Sequence, residues 1–221
     1  TVLSFEVFPP KRTGAVDTIY STLEELQKLH PDFISVTYGA GGNENCKATL
    51  EIAAAVKNNY HIESVAHLPC IGLSKEDVLS QIRHFKEAGI ENILALRGDI
   101  PKDGEMSGDF RYAGELIAFI RERCSFNVIA ACYPEGHTES ETIAADIRNL
   151  KTKVDAGADQ LITQLFFDND YFYRFRERCS LAGIHVPIQA GIMPVVNKKQ
   201  IERMVSLCGV HLPRKFTAMM E

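Results

Sequence analysis

Glu6 lies in the run Val2-Leu-Ser-Phe-Glu-Val-Phe8, where Val2, Ser4, Glu6 and Phe8 alternate with Leu3, Phe5 and Val7. As a strand, this segment would set its wholly apolar face against helices and point Glu6 into the interior. An ionised carboxylate without a partner is costly there, so two readings stay open. A neighbouring strand supplies a cation, or the pKa rises and the group keeps its proton. A carboxylic acid still protonated near neutral pH is what a general acid needs.

Other apolar runs also end in polar residues that a plain core would not choose. Ser35-Val-Thr37-Tyr38 leads into Gly39-Ala40-Gly41-Gly42. The dinucleotide pattern G-x-G-x-x-G fails here, because Glu44 stands where the third glycine belongs, and no P-loop pattern occurs. A plain turn, or backbone passing close to a flat ligand or phosphate, remains. Ala66-His67-Leu68 presents an imidazole that is either a satisfied core histidine or a ligand-facing one. Leu96-Arg97-Gly98-Asp99 holds either an internal ion pair or a phosphate grip (Arg97) beside a carboxylate for a reacting group (Asp99). Tyr133-Pro-Glu-Gly-His137 precedes a helix with Asp146, Asn149 and Lys153 on one face, which could equally be solvated. Gln164 follows Thr163 in an apolar run, and a buried amide demands partners. Five strand ends with such exceptions are hard to ascribe to packing.

The elements that position these residues follow from periodicity. Strand-like runs are Val2–Phe8, Phe33–Thr37, Ser64–Leu68, Asn92–Leu96, Val128–Tyr133, Gln160–Phe167 and Pro187–Ile192. Helix patterns fall near 15–29, 45–58, 74–88, 113–123, 138–156, 169–182 and 197–207. Ser74-Lys-Glu-Asp77 and Thr138-Glu-Ser-Glu141 have the form of capping boxes. Ala88-Gly89-Ile90, Ala156-Gly157-Ala158 and Ala182-Gly183-Ile184 repeat one helix exit, with glycine in the left-handed conformation. Such βα units, repeated without a linker, imply parallel strands. Seven of them favour an α/β fold, a (β/α)₈ TIM barrel, built as a single domain over residues 1–221. No eighth strand is visible, so the chain reads as a C-terminally incomplete barrel. In a barrel the polar strand ends would gather at one mouth.

Composition narrows the class. The 221 residues carry 24 Lys and Arg against 29 Asp and Glu, a net charge of −5. That balance argues against nucleic acid, whose binders carry a basic field. Arg174, Arg176 and Arg178 sit on an expected outer helix with Glu177 among them. No stretch approaches the roughly 20 apolar residues of a membrane span, and no leader pattern opens the chain, so a cytoplasmic location is expected. The six cysteines lack C-x-x-C spacing and pair with no histidine at ligand spacing, which points to reduced thiols and no metal.

At these same residues the sequence resembles a known family. Ser4-Phe-Glu-Val-Phe-Pro-Pro-Lys11, Thr37-Tyr-Gly-Ala40, His67-Leu-Pro-Cys-Ile71, Ala95-Leu-Arg-Gly-Asp99, Tyr133-Pro-Glu-Gly-His137, Leu150-Lys-Thr-Lys-Val-Asp-Ala-Gly157, Thr163-Gln-Leu-Phe-Phe-Asp168 and Gly191-Ile-Met-Pro194 resemble, in order, methylenetetrahydrofolate reductases. The resemblance covers essentially the whole chain. It implies a barrel that holds FAD and reduces 5,10-methylenetetrahydrofolate to 5-methyltetrahydrofolate with NADH or NADPH, in the one-carbon supply to methionine biosynthesis. It assigns Glu6 as the general acid that opens the methylene bridge, leaving an iminium that accepts hydride from flavin N5. It places Asp99 near both flavin and folate, Gln164 on folate, and Thr37 beside flavin and the bound nicotinamide or substrate. It sets Tyr38, Ala40, His67, Arg97, Gly98, Tyr112, Ala113, Ala131, Tyr133, His137, Asp146, Asn149 and Lys153 around FAD.

Three positions depart from the family pattern. Thr152 stands where bacterial relatives often place an arginine, and Met204 where some have an aromatic that stacks on nicotinamide. The eighth strand, which normally adds folate contacts, is the third. The rival readings are a flavin- or folate-binding subunit fed by a redox partner protein and a folate–corrinoid methyltransferase barrel. Self-association into a homo-oligomer stays open.

Overall fold

The computed structural model describes residues 1–10, 16–38, 43–100, 107–194, 196–214 and 216–217. Strands and helices alternate along it: β1 Ser4–Val7, α1 Val16–Gln27, β2 Phe33–Val36, α2 Asn43–Asn58, β3 Glu63–Pro69, α3 Lys75–Glu87, β4 Asn92–Leu96, α4 Ala113–Arg123, β5 Asn127–Cys132, α5 Ile143–Asp155, β6 Gln160–Thr163, α6 Asn169–Leu181, β7 Ile188–Gln189 and α7 Lys198–Cys208. Strand order equals chain order. The fold class is therefore α/β of the TIM-barrel type, with seven strands and no eighth among the described residues. None of the helices is long and apolar enough to cross a membrane among those residues.

Two compact units make up the chain, Thr1–Ile129 and Ala130–Glu221. In the first, β1 to β4 pair in parallel, and register sets Glu6 beside Ser35, Ser35 beside Val65, and His67 beside Leu94. Ile34, Val36, Ala66, Leu68 and Ile93 are buried with Leu23, Val56, Phe85, Leu116 and Ile120 of the helices. Helix α3 shows how a sequence stripe becomes packing. Val78, Gln81, Ile82 and Phe85 are its buried residues, at the i, i+3, i+4, i+7 spacing of one helix face. Ser74 and Asp77 cap it reciprocally, as expected.

The amino-terminal strand ends of this unit form a polar row. Lys57 Nζ meets Glu63 and Glu91, Glu63 accepts from the Asn92 amide at 3.3 Å, and Asn92 Oδ1 accepts from Asn127 at 3.0 Å. Glu63, Asn92 and Asn127 are each the first residue of a strand.

In the second unit β6 and β7 pair in parallel, Leu161 beside Ile188. Leu150, Leu161, Phe175, Cys179, Ile184 and Ile201 are buried there. The three expected glycine exits all take positive φ, at 75°, 116° and 72° for Gly89, Gly157 and Gly183. Each is closed by the same pair of bonds. Ile90, Ala158 and Ile184 donate to the carbonyls five residues back, and the glycine N–H groups to those three residues back.

Several boundaries differ from expectation, among them β1, which starts at Ser4 instead of Val2, and β7, which ends at Gln189 instead of Ile192. Helix α5 begins at Ile143, and its cap is Thr142, which accepts from the Ala145 N–H at 3.1 Å. Thr138-Glu-Ser-Glu141 lies instead in the turn ahead of the helix. The Ser140 hydroxyl goes to Asp146, and the Glu139 N–H to His137 Nδ1. Strand β6 stops at Thr163 instead of Phe167; beyond it Gln164 still donates its N–H to the Cys132 carbonyl, and its side-chain oxygen accepts the Leu165 N–H.

Candidate functional site

The first unit brings Glu6 and His67 together. Parallel register puts Glu6, Ser35, Val65 and His67 on one face, and Glu6 Oε2 lies 3.6 Å from His67 Nε2. His67 is almost fully buried, which pushes its imidazole down to about 4, so it is neutral near pH 7. Its Nε2 is buried without a hydrogen-bond partner among the described residues. The Glu6 side chain is 47% exposed, so it is less interior than the alternation implies, and its partial burial raises its pKa. The ring that faces this carboxyl at 3.6 Å is therefore uncharged near neutral pH.

The neighbouring strand ends carry the other expected residues. Thr37 donates its N–H to the Val7 carbonyl at 3.0 Å, and its own carbonyl accepts from the buried Thr49 hydroxyl at 3.0 Å. Tyr38 is half-buried, and Ala40 lies outside the described residues. Arg97 folds its Nε onto the Gly98 carbonyl at 3.2 Å, while its carbonyl accepts from Ile71 N–H at 2.8 Å. Gly98 has φ +91°, and a Cβ there would sit 2.8 Å from Ile71 Cγ2. Only glycine turns the chain so tightly between Arg97 and the exposed Asp99. Tyr112 is 60% exposed and precedes α4, whose first residue is Ala113. Glu115 holds that start by accepting from the Arg111 and Tyr112 N–H groups.

The second unit forms its own cluster. Lys153 Nζ donates to the Ala131 carbonyl and lies 5.8 Å from the Tyr133 ring centre. Burial lowers its pKa, partly opposed by Asp146. The Tyr133 and His137 rings meet edge to face at 4.6 Å. Because His137 Nδ1 accepts from Glu139 N–H, the neutral ring carries its proton on Nε2. Asp146 is buried and accepts from the Ser140 hydroxyl at 3.0 Å. Asn149 is exposed on the same helix. Gln164 accepts from Leu165 N–H through Oε1. Thr163 is buried and accepts the Gly191 N–H at 2.9 Å, with Gly191 so close that a Cβ would lie 2.3 Å from the Thr163 carbonyl.

Thr152 turns its hydroxyl back to the Arg148 carbonyl, and Met204 is half-buried on α7. Sequence reasoning gave no role to Glu135, which accepts from the His211 N–H at 2.8 Å. The signal was a carboxylate inside the Pro-Gly turn Tyr133-Pro-Glu-Gly-His137. Cys70, Cys124, Cys132, Cys179 and Cys208 are free thiols, and burial pushes Cys70 up to about 12 and Cys179 to about 11.

Fold and side chains together define an α/β-barrel protein with titratable and hydrogen-bonding groups at the carboxyl ends of parallel strands, where such folds do chemistry. A profile of methylenetetrahydrofolate reductase matches residues 1–221, and the chain belongs to that family, a family of oxidoreductases. It is 40% identical over 219 residues to the 5,10-methylenetetrahydrofolate reductase of Pectobacterium carotovorum, covering 99% of this chain and 72% of the relative. The Escherichia coli enzyme of that name is 40% identical over 211 residues, covering 96% and 70%. A rice relative, described as a probable methylenetetrahydrofolate reductase (NADH), is 38% identical over all of this chain and 40% of its own length. The fold is similar to that of a Clostridium thermocellum protein described as binding two copies of 5-methyl-5,6,7,8-tetrahydrofolic acid, with TM-score 0.60, 12% identity, and coverage of 96% and 73%.

Proposed function

We propose that this chain reduces 5,10-methylenetetrahydrofolate to 5-methyltetrahydrofolate, with FAD as its cofactor and NADH or NADPH as the source of electrons. Family membership supports the reaction, and the rice relative's description favours NADH. The observation that carries the mechanism is the Glu6 carboxyl beside the uncharged His67 ring. When bound, FAD supplies the hydride that completes the methyl group.

The chain's own residues handle the proton and the charge. Glu6, its pKa raised by burial, gives a proton to N10 of the folate bridge. The carbon–N10 bond then breaks, leaving a cationic iminium at N5 that accepts the hydride. Asp99 supplies a carboxylate that stabilises this cation, and Thr37 and Gln164 orient the folate.

The residues present fit a cofactor of this kind. His67 Nε2 is a buried polar atom with no hydrogen-bond partner among the described residues, as a site for a polar heterocycle would leave it. Tyr38, Arg97, Gly98, Tyr112 and Ala113 of the first unit are assigned to FAD with it. Arg97 suits its phosphates. In the second unit the assignment covers Ala131, Tyr133, His137, Asp146, Asn149 and Lys153, whose ammonium suits an anion. A second reading rests on Met204, where some relatives stack an aromatic on nicotinamide: electrons then arrive from a partner protein.

The test is anaerobic. Purified protein should show a flavin spectrum that bleaches with NADH or NADPH and returns on adding 5,10-methylenetetrahydrofolate. Bleaching only with a redox partner protein selects the second reading. A colourless protein that takes up no FAD rejects both and leaves the methyltransferase.

A further inference from the structure

Within the second unit, the segment after α7 is fastened to the turn after β5 at two points. The His211 N–H donates to Glu135 Oε2 at 2.8 Å, across 76 residues of chain. Gly209, at φ +65°, approaches Thr138 so closely that a Cβ would lie 2.3 Å from Thr138 Cγ2. Two ring contacts extend the fastening to the residues following β6. The His211 ring lies 6.3 Å from Tyr171, and Phe216 lies 5.5 Å from Phe167. Glu135 itself stands between Tyr133 and His137, whose rings meet edge to face.

The second carboxyl oxygen, Oε1, is buried and has no hydrogen-bond partner among the described residues. Burying an oxygen in that way is unfavourable, and an apolar side chain would fill the space at lower cost. What a carboxyl adds here is the acceptor for His211. The turn it sits in is otherwise closed by local bonds, Gly136 N–H to the Tyr133 carbonyl and Ser140 N–H to the His137 carbonyl.

We propose that Glu135 is a positioning residue: through His211 it makes the segment after α7 fix the turn that presents Tyr133 and His137. The role of those two rings toward FAD rests on the function proposed above, whereas the coupling of segment to turn does not.

Amide hydrogen exchange on the full chain without added flavin tests the coupling. Glu135→Ala should speed exchange about tenfold or more at His211, and also at Gly136, Glu139 and Ser140 in the turn; Glu135→Gln, which keeps an acceptor, should restore both. Faster exchange at His211 alone, or no rescue by glutamine, overturns the proposal. Should Glu135→Ala not fold, Gly209→Ala pushes the segment off Thr138 and should loosen the same turn amides; unchanged turn amides again overturn it. With FAD added, Glu135→Ala should weaken binding about tenfold and alter the circular dichroism of the bound flavin, and Glu135→Gln should do neither. Unchanged affinity and dichroism overturn the positioning role. Wild-type protein that binds no FAD defeats the proposed function, and the exchange result still decides the coupling.

Discussion

Glu6 and His67, 61 positions apart, face each other at 3.6 Å across β1 and β3, with β2 between them. Such a pair would ordinarily be an ion pair. Here burial has removed the charge from the imidazole and raised the pKa of the carboxyl, so the two groups do not hold each other as opposite ions.

Replacing Glu6 by Gln keeps the shape and removes the proton. Glu6→Gln should bind flavin and accept electrons normally, yet reduce the folate at least about 100-fold more slowly, the lower end of what general acids contribute. Stopped-flow half-reactions separate these steps. Normal folate turnover rejects Glu6 as the acid.

His67 links stability to pH. Its folded pKa of about 4 lies below the unfolded value of 6.5, so the unfolded chain binds the extra proton between them. Its contribution is fully present above pH 6.5 and is lost as pH falls toward 4, amounting to on the order of 3 kcal/mol. Urea unfolding at pH 7 and pH 5 should show about 2 kcal/mol of this loss in the wild type and a smaller one in His67→Gln. Equal slopes would mean the imidazole keeps its proton when folded.

Gly98→Ala should cost about 1–3 kcal/mol, because the added methyl meets Ile71 and φ is +91°. Thermal unfolding measures it. A variant as stable as the parent would show that Ile71 yields freely.

Lys153→Met removes a buried ammonium while keeping the stem that fills the space. Without flavin, unfolding should change little, since burying the charge was itself costly. FAD affinity should fall about tenfold, or ~1.4 kcal/mol, by equilibrium titration. Unaltered affinity removes Lys153 from the cofactor assignment.

Local signals were legible in the sequence wherever one residue type has one geometric use. The glycine exits at 89, 157 and 183, the Ser74 cap, β4 and α4 all stand where periodicity and turn chemistry place them. Thr138-Glu-Ser-Glu141 shows the limit: the spacing of a capping box was present, but the helix takes its cap from Thr142, the next residue along. Thr142 is a cap-forming residue too, and spacing alone does not choose between the two. In the candidate site, the strand carrying Glu6 was readable from its alternation, but the interior placement expected of the carboxyl was not met in full, since the side chain stays 47% exposed. That its companion would be His67 depends on parallel register, and the Glu135–His211 bond spans 76 residues with no local pattern to announce it.

The row from Lys57 through Glu63 and Asn92 to Asn127 has a corollary for where ligands can dock on the first unit. These amides and acids satisfy one another along the starting edge of β3, β4 and β5, so an incoming molecule would have to break existing bonds before making its own. At the finishing edge, His67 Nε2 faces Glu6 at 3.6 Å but makes no hydrogen bond among the described residues. One rim has spent its polarity on holding the strands in line, and the other keeps some in reserve for a visitor.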